Sequence, residues 1–245
     1  MGFRDVNTVV LSADPVQKQH IYVRVERPPN VRGSSGVKDL DGSVKPGLIQ
    51  LLKTLFLDYY VEKVKAGQPV KVSIWFFNKV SDIADVYDEL CDMLPEHAAN
   101  PKTCPFVMNH SSVGPITAEG MRKRRGDITM YLSTSVMLFG LDFSDVDIVG
   151  MVRPFSLCHY MVQAAGRGGR KLCNGQRRKV VFYLLFNRSD IGDNMPGLSK
   201  EVKELCETNE CLKVYLKKFF GFSDSGAKDS EWCCSNCWKV SDESI

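Results

Sequence analysis

Val70-Lys-Val-Ser-Ile-Trp-Phe-Phe77, followed by Ser81-Asp-Ile-Ala-Asp-Val-Tyr-Asp-Glu-Leu-Cys-Asp-Met-Leu94, decides the fold class. The first run is apolar enough to be a strand buried on both faces. The second repeats apolar residues at Ile83, Val86, Leu90 and Leu94, the spacing of one helical face. A strand buried on both faces needs cover on both sides, and the flanking sequence supplies it. Upstream, Leu48, Leu52, Leu55, Phe56 and Tyr59 share one face of a long amphipathic helix that Gly67 stops. Further upstream a Pro-, Gly- and Ser-rich loop from Pro28 to Gly47 separates that helix from His20–Glu26, which alternates at period two and reads as a strand.

Downstream, Cys104–Met108, Ile128–Leu132, Asp147–Val152 and Lys179–Phe186 read as strands, with helical stretches near Thr117–Arg125 and Ser156–Gln163. This recurrence predicts an α/β fold, a parallel sheet with helices on both faces. Ligands of such sheets sit beyond the carboxyl ends of the strands. Asn78, His110 and the Thr134 region therefore fall on one functional edge. After Phe186 the composition shifts to a polar loop through Asn194-Met-Pro-Gly197, two short helical stretches and a cysteine-rich end. Three segments follow: a lead-in over 1–27, an α/β domain over 28–187, and a small helical module with its tail over 188–245.

Composition narrows the function classes. A net charge of +3, from 32 basic and 29 acidic residues, is too small to announce a nucleic-acid binder by itself, so local clusters must carry that argument. They occur at Arg122-Lys-Arg-Arg125 and at Arg167, Arg170, Lys171, Arg177, Arg178 and Lys179. No apolar run approaches the ~18 to 20 residues that span a bilayer, and Met1-Gly-Phe-Arg-Asp has no hydrophobic signal core. An intracellular protein with no membrane partner is expected, nuclear if the source is a eukaryote. The nine cysteines gather toward the C-terminus and are not framed like the staples of a secreted domain, which points to a metal.

Gln163-Ala-Ala-Gly-Arg-Gly-Gly-Arg170 sets two arginines in a glycine-rich segment. A guanidinium offers a fixed charge and a planar fork of donors that meets phosphate oxygens in a bidentate way. A glycine turn with solvated arginines is the plain alternative. Ser133-Thr-Ser-Val-Met-Leu-Phe-Gly-Leu-Asp142 follows an expected strand and offers hydroxyls and backbone donors, which hold a phosphate backbone without reading bases. The two strings stand some twenty residues apart, with a strand and a helix between them.

Together they resemble motifs V and VI of superfamily 2 helicases, T-x-x-x-x-x-G-x-D and Q-x-x-G-R-x-G-R, from the second RecA-like domain of the P-loop NTPase type. Ile74-Trp-Phe-Phe-Asn78 resembles motif IV, and Met108-Asn-His-Ser-Ser112 stands where the family usually has Tyr-His-Ala-Gly. The resemblance implies roles for individual residues. Arg167 and Arg170 would be arginine fingers on ATP, with Gln163, Gly140 and Asp142 near the nucleotide. Asn78, His110, Thr134 and Ser135 would contact DNA.

The cysteine-rich end narrows the family. Cys234-Ser-Asn-Cys237 supplies two thiolates on one tight turn, and Cys211, opening the helical Cys211-Leu-Lys-Val-Tyr-Leu-Lys-Lys-Phe-Phe-Gly221, can approach the same ion. The arrangement resembles the zinc-binding region of RecQ-type DNA helicases, with Cys211, Cys234 and Cys237 as ligands. The family's last cysteine would fall at Val240, where none stands, so either Cys233 or Cys206 substitutes as the fourth ligand or the site is weakened or lost. Trp232 and Trp238 would pack on this module. Other departures are Ala164 for the usual Glu, Gly168 for Ala, and Lys171-Leu172 for Asp-Gly.

RecQ enzymes couple ATP hydrolysis, with Mg2+, to 3′-to-5′ unwinding of DNA in repair and recombination. The phosphate-cradling string G-x-x-x-x-G-K-[ST] does not occur here: Gly192 to Gly197 has the glycine spacing, but Leu198 and Ser199 follow. Asp88-Glu89 and Asp242-Glu243 do not end a buried strand, as a Walker B pair would. The expectation is half of a motor. Its partners are single-stranded or duplex DNA and a first RecA-like domain in the full-length protein or in trans, of which Val6-Asn-Thr-Val-Val-Leu11 would be the tail. By itself the chain would be inactive. A non-catalytic zinc- and DNA-binding remnant of a helicase is the alternative. An RNA helicase explains the two motifs but not the cysteines.

Overall fold

The computed structural model describes residues 21–26, 46–98, 100, 102–113, 127–138, 146–170, 172–173, 176–177, 179–192, 197–221 and 233–237. Chain order gives β1 (Ile21–Glu26), α1 (Pro46–Phe56), a π-helical turn (Leu57–Val61), α2 (Glu62–Lys65), β2 (Val72–Phe77), α3 (Val80–Met93) and α4 (Pro95–Ala98). Then come β3 (Phe106–Asn109), β4 (Met130–Ser133), a 3-10 turn (Ser135–Leu138), β5 (Val146–Val152), α5 (Cys158–Ala165), β6 (Leu172–Cys173), β7 (Gln176–Arg177) and β8 (Val180–Leu185). A second 3-10 turn (Arg188–Asp190), α6 (Lys200–Glu207) and α7 (Leu212–Phe219) complete the order.

Six strands form one parallel sheet in the order β1-β8-β5-β2-β4-β3, and β6 pairs with β7 in a separate antiparallel pair. Side chains alternate across a strand, so each central strand feeds two cores. Ile74, Phe76, Val149, Met151, Phe182 and Leu184 face one cluster with α5, α6 and α7. Trp75, Phe77, Ile148, Val152, Val181 and Tyr183 face the other with α1 and α3. This is the α/β sheet covered on both faces that the alternating pattern predicts. Trp75 stacks on Tyr183 with ring centroids 5.9 Å apart, and the Tyr183 hydroxyl shares a 2.7 Å hydrogen bond with that of Tyr59.

Two boundaries differ from expectation. The loop expected to run through Gly47 ends earlier, because α1 opens at Pro46, whose fixed φ and missing N–H suit the first helical position. The long helix is interrupted by the π-helical turn, which leaves Leu57 and Asp58 exposed between the buried Phe56 and Tyr59. Its stop is as expected: Gly67 has φ 63°, and Gln68 N–H closes back on the Lys63 carbonyl at 2.9 Å. The expected helix at Thr117–Arg125 with its basic run, the segment Val6–Leu11, Trp232 and Trp238 lie outside the described residues.

β1 is an edge strand of the same sheet, and its outer edge is paired with the distant cysteine turn. Val23 N–H donates to the Cys233 carbonyl at 3.2 Å, and Ser235 N–H donates to the Val23 carbonyl at 2.9 Å. Covering an edge in this way removes a template for aggregation. Ile191, Val202, Leu205, Cys206, Leu212 and Leu216 join the cluster that contains Phe76 and Met151, so the C-terminal helices pack directly on the sheet. Among the described residues no helix is long and apolar enough to cross a membrane.

Candidate functional site

Strand register sets the first surface. Phe76 pairs with Ser133, and Ser133 with Asn109, so β2, β4 and β3 end side by side. The residues that follow, Asn78, Thr134 and His110, therefore stand in a row on the carboxyl edge. Thr134 N–H donates to the Asn109 carbonyl at 3.2 Å, and His110 turns its strand with its carbonyl 3.0 Å from Val113 N–H and its Nδ1 3.3 Å from Ser112 N–H. Ser111, Ser112, Ser135 and Val136 are exposed around them. Asn78 is exposed too, and its Nδ2 donates to the Pro154 carbonyl at 3.0 Å.

That contact anchors the loop between β5 and α5, where the sequence pointed to nothing. Arg153 holds φ 66°, rare for a residue with a Cβ, and donates from its backbone N–H to the Leu185 carbonyl at 2.8 Å. Its guanidinium meets Asp190 at 3.0 Å and Asp82 at 3.4 Å. Both carboxylates are buried, and burial raises the Asp82 pKa although Arg153 opposes the rise. Asp190 also caps its own 3-10 turn by accepting from Asn187 N–H at 2.7 Å. The network fixes the approach to α5; the only sequence hint is Arg153 before a proline, which disfavours a helical residue there.

The arginine pair lies at the far end of α5, about 12 Å along at 1.5 Å per residue. Gly169, with φ 61°, donates its N–H to the carbonyl of Val146 at 3.0 Å, and Gly168 packs on Val180 and Val149. The turn thus rests where β5 and β8 begin. Gln163 is exposed on the last turn of α5, and Arg170 is exposed with its Nε 3.1 Å from the Gly166 carbonyl. Arg167 is buried, and its Nη2 donates to the carbonyl of Leu138. That hydrogen bond ties the arginine turn to the 3-10 turn after Thr134. Gly140 and Asp142 lie outside the described residues.

The third group is the cysteine cluster. The Sγ atoms of Cys211, Cys233, Cys234 and Cys237 all lie within 4.8 Å of one another. Separations of 3.5, 3.9 and 3.6 Å occur for Cys211–Cys233, Cys211–Cys234 and Cys234–Cys237. A tetrahedron of thiolates around zinc, with Zn–S about 2.3 Å, has edges of about 3.8 Å, so the donor set fits that ion. Cys233 takes the fourth place; Cys206 is instead buried in the core between α6 and the sheet.

Supporting contacts are already made. Leu212 N–H, at the start of α7, donates to Cys234 Sγ at 3.4 Å, and Asn236 Nδ2 donates to the carbonyls of Thr208 and Glu210 at 2.9 and 2.7 Å. Hydrogen bonds accepted from Cys211 and Cys233 lower the Cys234 pKa, whereas those that Cys233 donates to Cys211 and Cys234 raise its own. Burial raises Cys237 to about 12. Proton sharing of this kind marks sulfurs close enough to serve one cation.

No family model matches the chain, and no curated protein matches it. Solved structures do. The Mycobacterium smegmatis helicase Lhr bound to ssDNA and AMP-PNP matches at 16% identity over 76% of this chain and 21% of its own, with a TM-score of 0.51. The DUF1998 helicase MrfA bound to DNA matches at 15% identity over 83% of this chain and 22% of its own, with a TM-score of 0.50. The C-terminal part of the Fun30 ATPase domain matches at 18% identity over 63% of this chain and 45% of its own, with a TM-score of 0.45. The chain thus spans less than half the length of each. The likeness is one of fold, to helicase domains, and does not single out the RecQ branch.

Proposed function

We propose that this chain acts as the second RecA-like half of a RecQ-like, ATP-dependent DNA helicase working 3′ to 5′. The observation that carries the reading is the hydrogen bond from Arg167 to Leu138, which joins two surfaces at opposite ends of α5. On the carboxyl edge, His110, Thr134, Ser135 and the amide of Asn78 would hold a DNA backbone by hydroxyl and N–H donors. At the other end, exposed Arg170 leads toward phosphates, with Gln163 beside it. Arg167 gives one of its five donors to the Leu138 carbonyl, so a phosphate that drew its guanidinium away would loosen the turn that follows Thr134. That exchange couples ATP to the grip on DNA. The DNA-bound state of both Lhr and MrfA, and the AMP-PNP on Lhr, support the reading.

ATP and Mg2+ would be held mainly by a first RecA-like domain, since this sequence lacks the Walker A lysine. The four cysteines would hold Zn2+, whose role is to lock α7 and the cysteine turn onto β1. The test uses a fluorescein-labelled oligothymidine followed by anisotropy, with phosphate release measured in parallel. Expected are salt-sensitive binding, weakened several-fold by Thr134→Val or His110→Ala, and no phosphate release with ATP. DNA-stimulated phosphate release by this chain alone would overturn the half-site reading, and a parent chain that fails to bind the oligonucleotide would overturn the DNA surface.

A further inference from the structure

The four clustered sulfurs fall into two pairs. Cys211 and Cys233 stand 3.5 Å apart, Cys234 and Cys237 stand 3.6 Å apart, and these two short contacts share no atom. Cys211–Cys234, at 3.9 Å, joins one member of each pair. Burial divides both pairs in the same way: Cys237 is exposed and Cys211 half-buried, whereas Cys234 and Cys233 are buried. Each pair thus sets a sulfur that solvent reaches beside one that it does not. In that arrangement an oxidised cysteine is captured by a resolving neighbour before it oxidises further. A disulfide holds its sulfurs about 2.0 Å apart, so each pair closes by about 1.5 Å, a distance that side-chain rotation covers.

We propose that the cluster is a site of oxidative modification, in which a hydroperoxide converts it into two disulfides, Cys211–Cys233 and Cys234–Cys237. In each pair the accessible thiol takes one oxygen from the hydroperoxide ROOH, becoming a sulfenic acid and releasing the alcohol ROH, which is water for hydrogen peroxide. The buried thiol then attacks that sulfur; the S–S bond forms, the S–O bond breaks, and water leaves with the buried thiol's proton. Each sulfur loses one electron, and one peroxide O–O bond is reduced per disulfide. This goes beyond the zinc reading, because it needs the sulfurs alone. The two forms exclude each other, since a disulfide sulfur no longer carries the thiolate charge that binds the ion.

The position of the cross-links decides their effect. Cys211 caps the start of α7, and Cys233 lies in the turn whose backbone pairs with Val23 on β1. A Cys211–Cys233 bond joins residues 22 apart in sequence and ties together the same two elements that an ion would. Closing such a loop restricts the unfolded chain, so the oxidised module keeps α7 on the cysteine turn without a metal.

The test treats the full chain with hydrogen peroxide, counts thiols under denaturing conditions, maps linkages by mass spectrometry of non-reduced peptides, and follows zinc with a chromogenic chelator. Expected are the loss of four of the nine thiols, full recovery with dithiothreitol, the two linkages named above and, in a zinc-loaded chain, release of the ion in step with oxidation. Cys237→Ser is expected to halve the loss, leaving the Cys211–Cys233 pair, and Cys206→Ser to leave it at four. After metal removal the oxidised chain is expected to have a higher urea midpoint than the reduced one. Linkages through Cys206 or Cys91, disulfides between chains, or thiol loss that dithiothreitol does not reverse would overturn the site; a lower urea midpoint would overturn its effect on the module. A chain that binds no zinc yet forms both disulfides removes the metal reading and upholds this one.

Discussion

Gly168→Ala puts the RecQ-type alanine into the arginine turn, and its outcome is set by two valines. A Cβ at Gly168 would lie 2.4 Å from Val180 Cγ1, 3.1 Å from Val180 Cγ2 and 3.3 Å from Val149 Cγ2. Ordinary contact begins near 3.4 Å, so turn and strand must separate by about 1 Å. Val180 is fully buried at the start of β8 and has little room to yield. Overpacking of this kind costs about 1–3 kcal/mol. Against it, replacing glycine by alanine on permissible backbone stabilises by about 0.4–1 kcal/mol through the unfolded chain.

The clash wins, and a net loss of about 1–2 kcal/mol is expected. For a chain of this length that lowers Tm by about 2–8 °C. Urea denaturation followed by circular dichroism reads it directly. Val180→Ala removes both offending methyls; alone it costs about 1–3 kcal/mol, and with Gly168→Ala the pair should cost less than the sum by about 1 kcal/mol or more. A Gly168→Ala chain at least as stable as its parent, or strict additivity of the pair, would refute the packing argument.

Three further outcomes follow from the same geometry. Cys233→Ser should abolish stoichiometric zinc, measured by atomic absorption after dialysis, whereas Cys206→Ser should keep it; the opposite pattern would move the fourth ligand. Burial raises the Asp82 pKa, so its contribution to stability is fully present below the unfolded value near 3.8 and is lost as pH rises through the folded value. Asp82→Asn keeps an oxygen for Arg153 without the buried charge, so its urea midpoint should exceed the parent's at neutral pH and converge on it in acid. Tyr59→Phe removes the hydroxyl pair with Tyr183 and should cost about 1 kcal/mol in the same denaturation assay.

Much of the fold could be read locally. Apolar runs such as Ile74–Phe77 and Val181–Leu185 have to be strands covered on both faces, and the 3.6-residue spacing in Ser81–Leu94 has to be a helix lying on one of them. The same local logic placed Asn78, His110 and Thr134 on one edge, since parallel strands all deliver their loops to the same side. It also marked Cys211, Cys234 and Cys237, because a C-x-x-C turn and an upstream helical cysteine are chemical signals that need no neighbours to be recognised.

Other features depend on groups far apart in sequence. Cys233 rather than Cys206 completes the cluster because α6 turns Cys206 into the core while the cysteine turn, paired with Val23, brings Cys233 to Cys211. Arg153 gathers Asp82 and Asp190 from two other elements, and no periodicity carries a contact of that range.

The sequence by itself therefore determined the α/β sheet, the residues at its carboxyl edge and the thiol-rich end, because periodicity and short-range spacing are properties of neighbouring residues. Only the tertiary structure decided that Arg167 is turned onto the Leu138 carbonyl while Arg170 stays exposed, that Val180 occupies the space an alanine at 168 would need, and that Cys233 completes the thiol cluster. Each of these depends on which distant groups fill the same volume, and packing in three dimensions sets that.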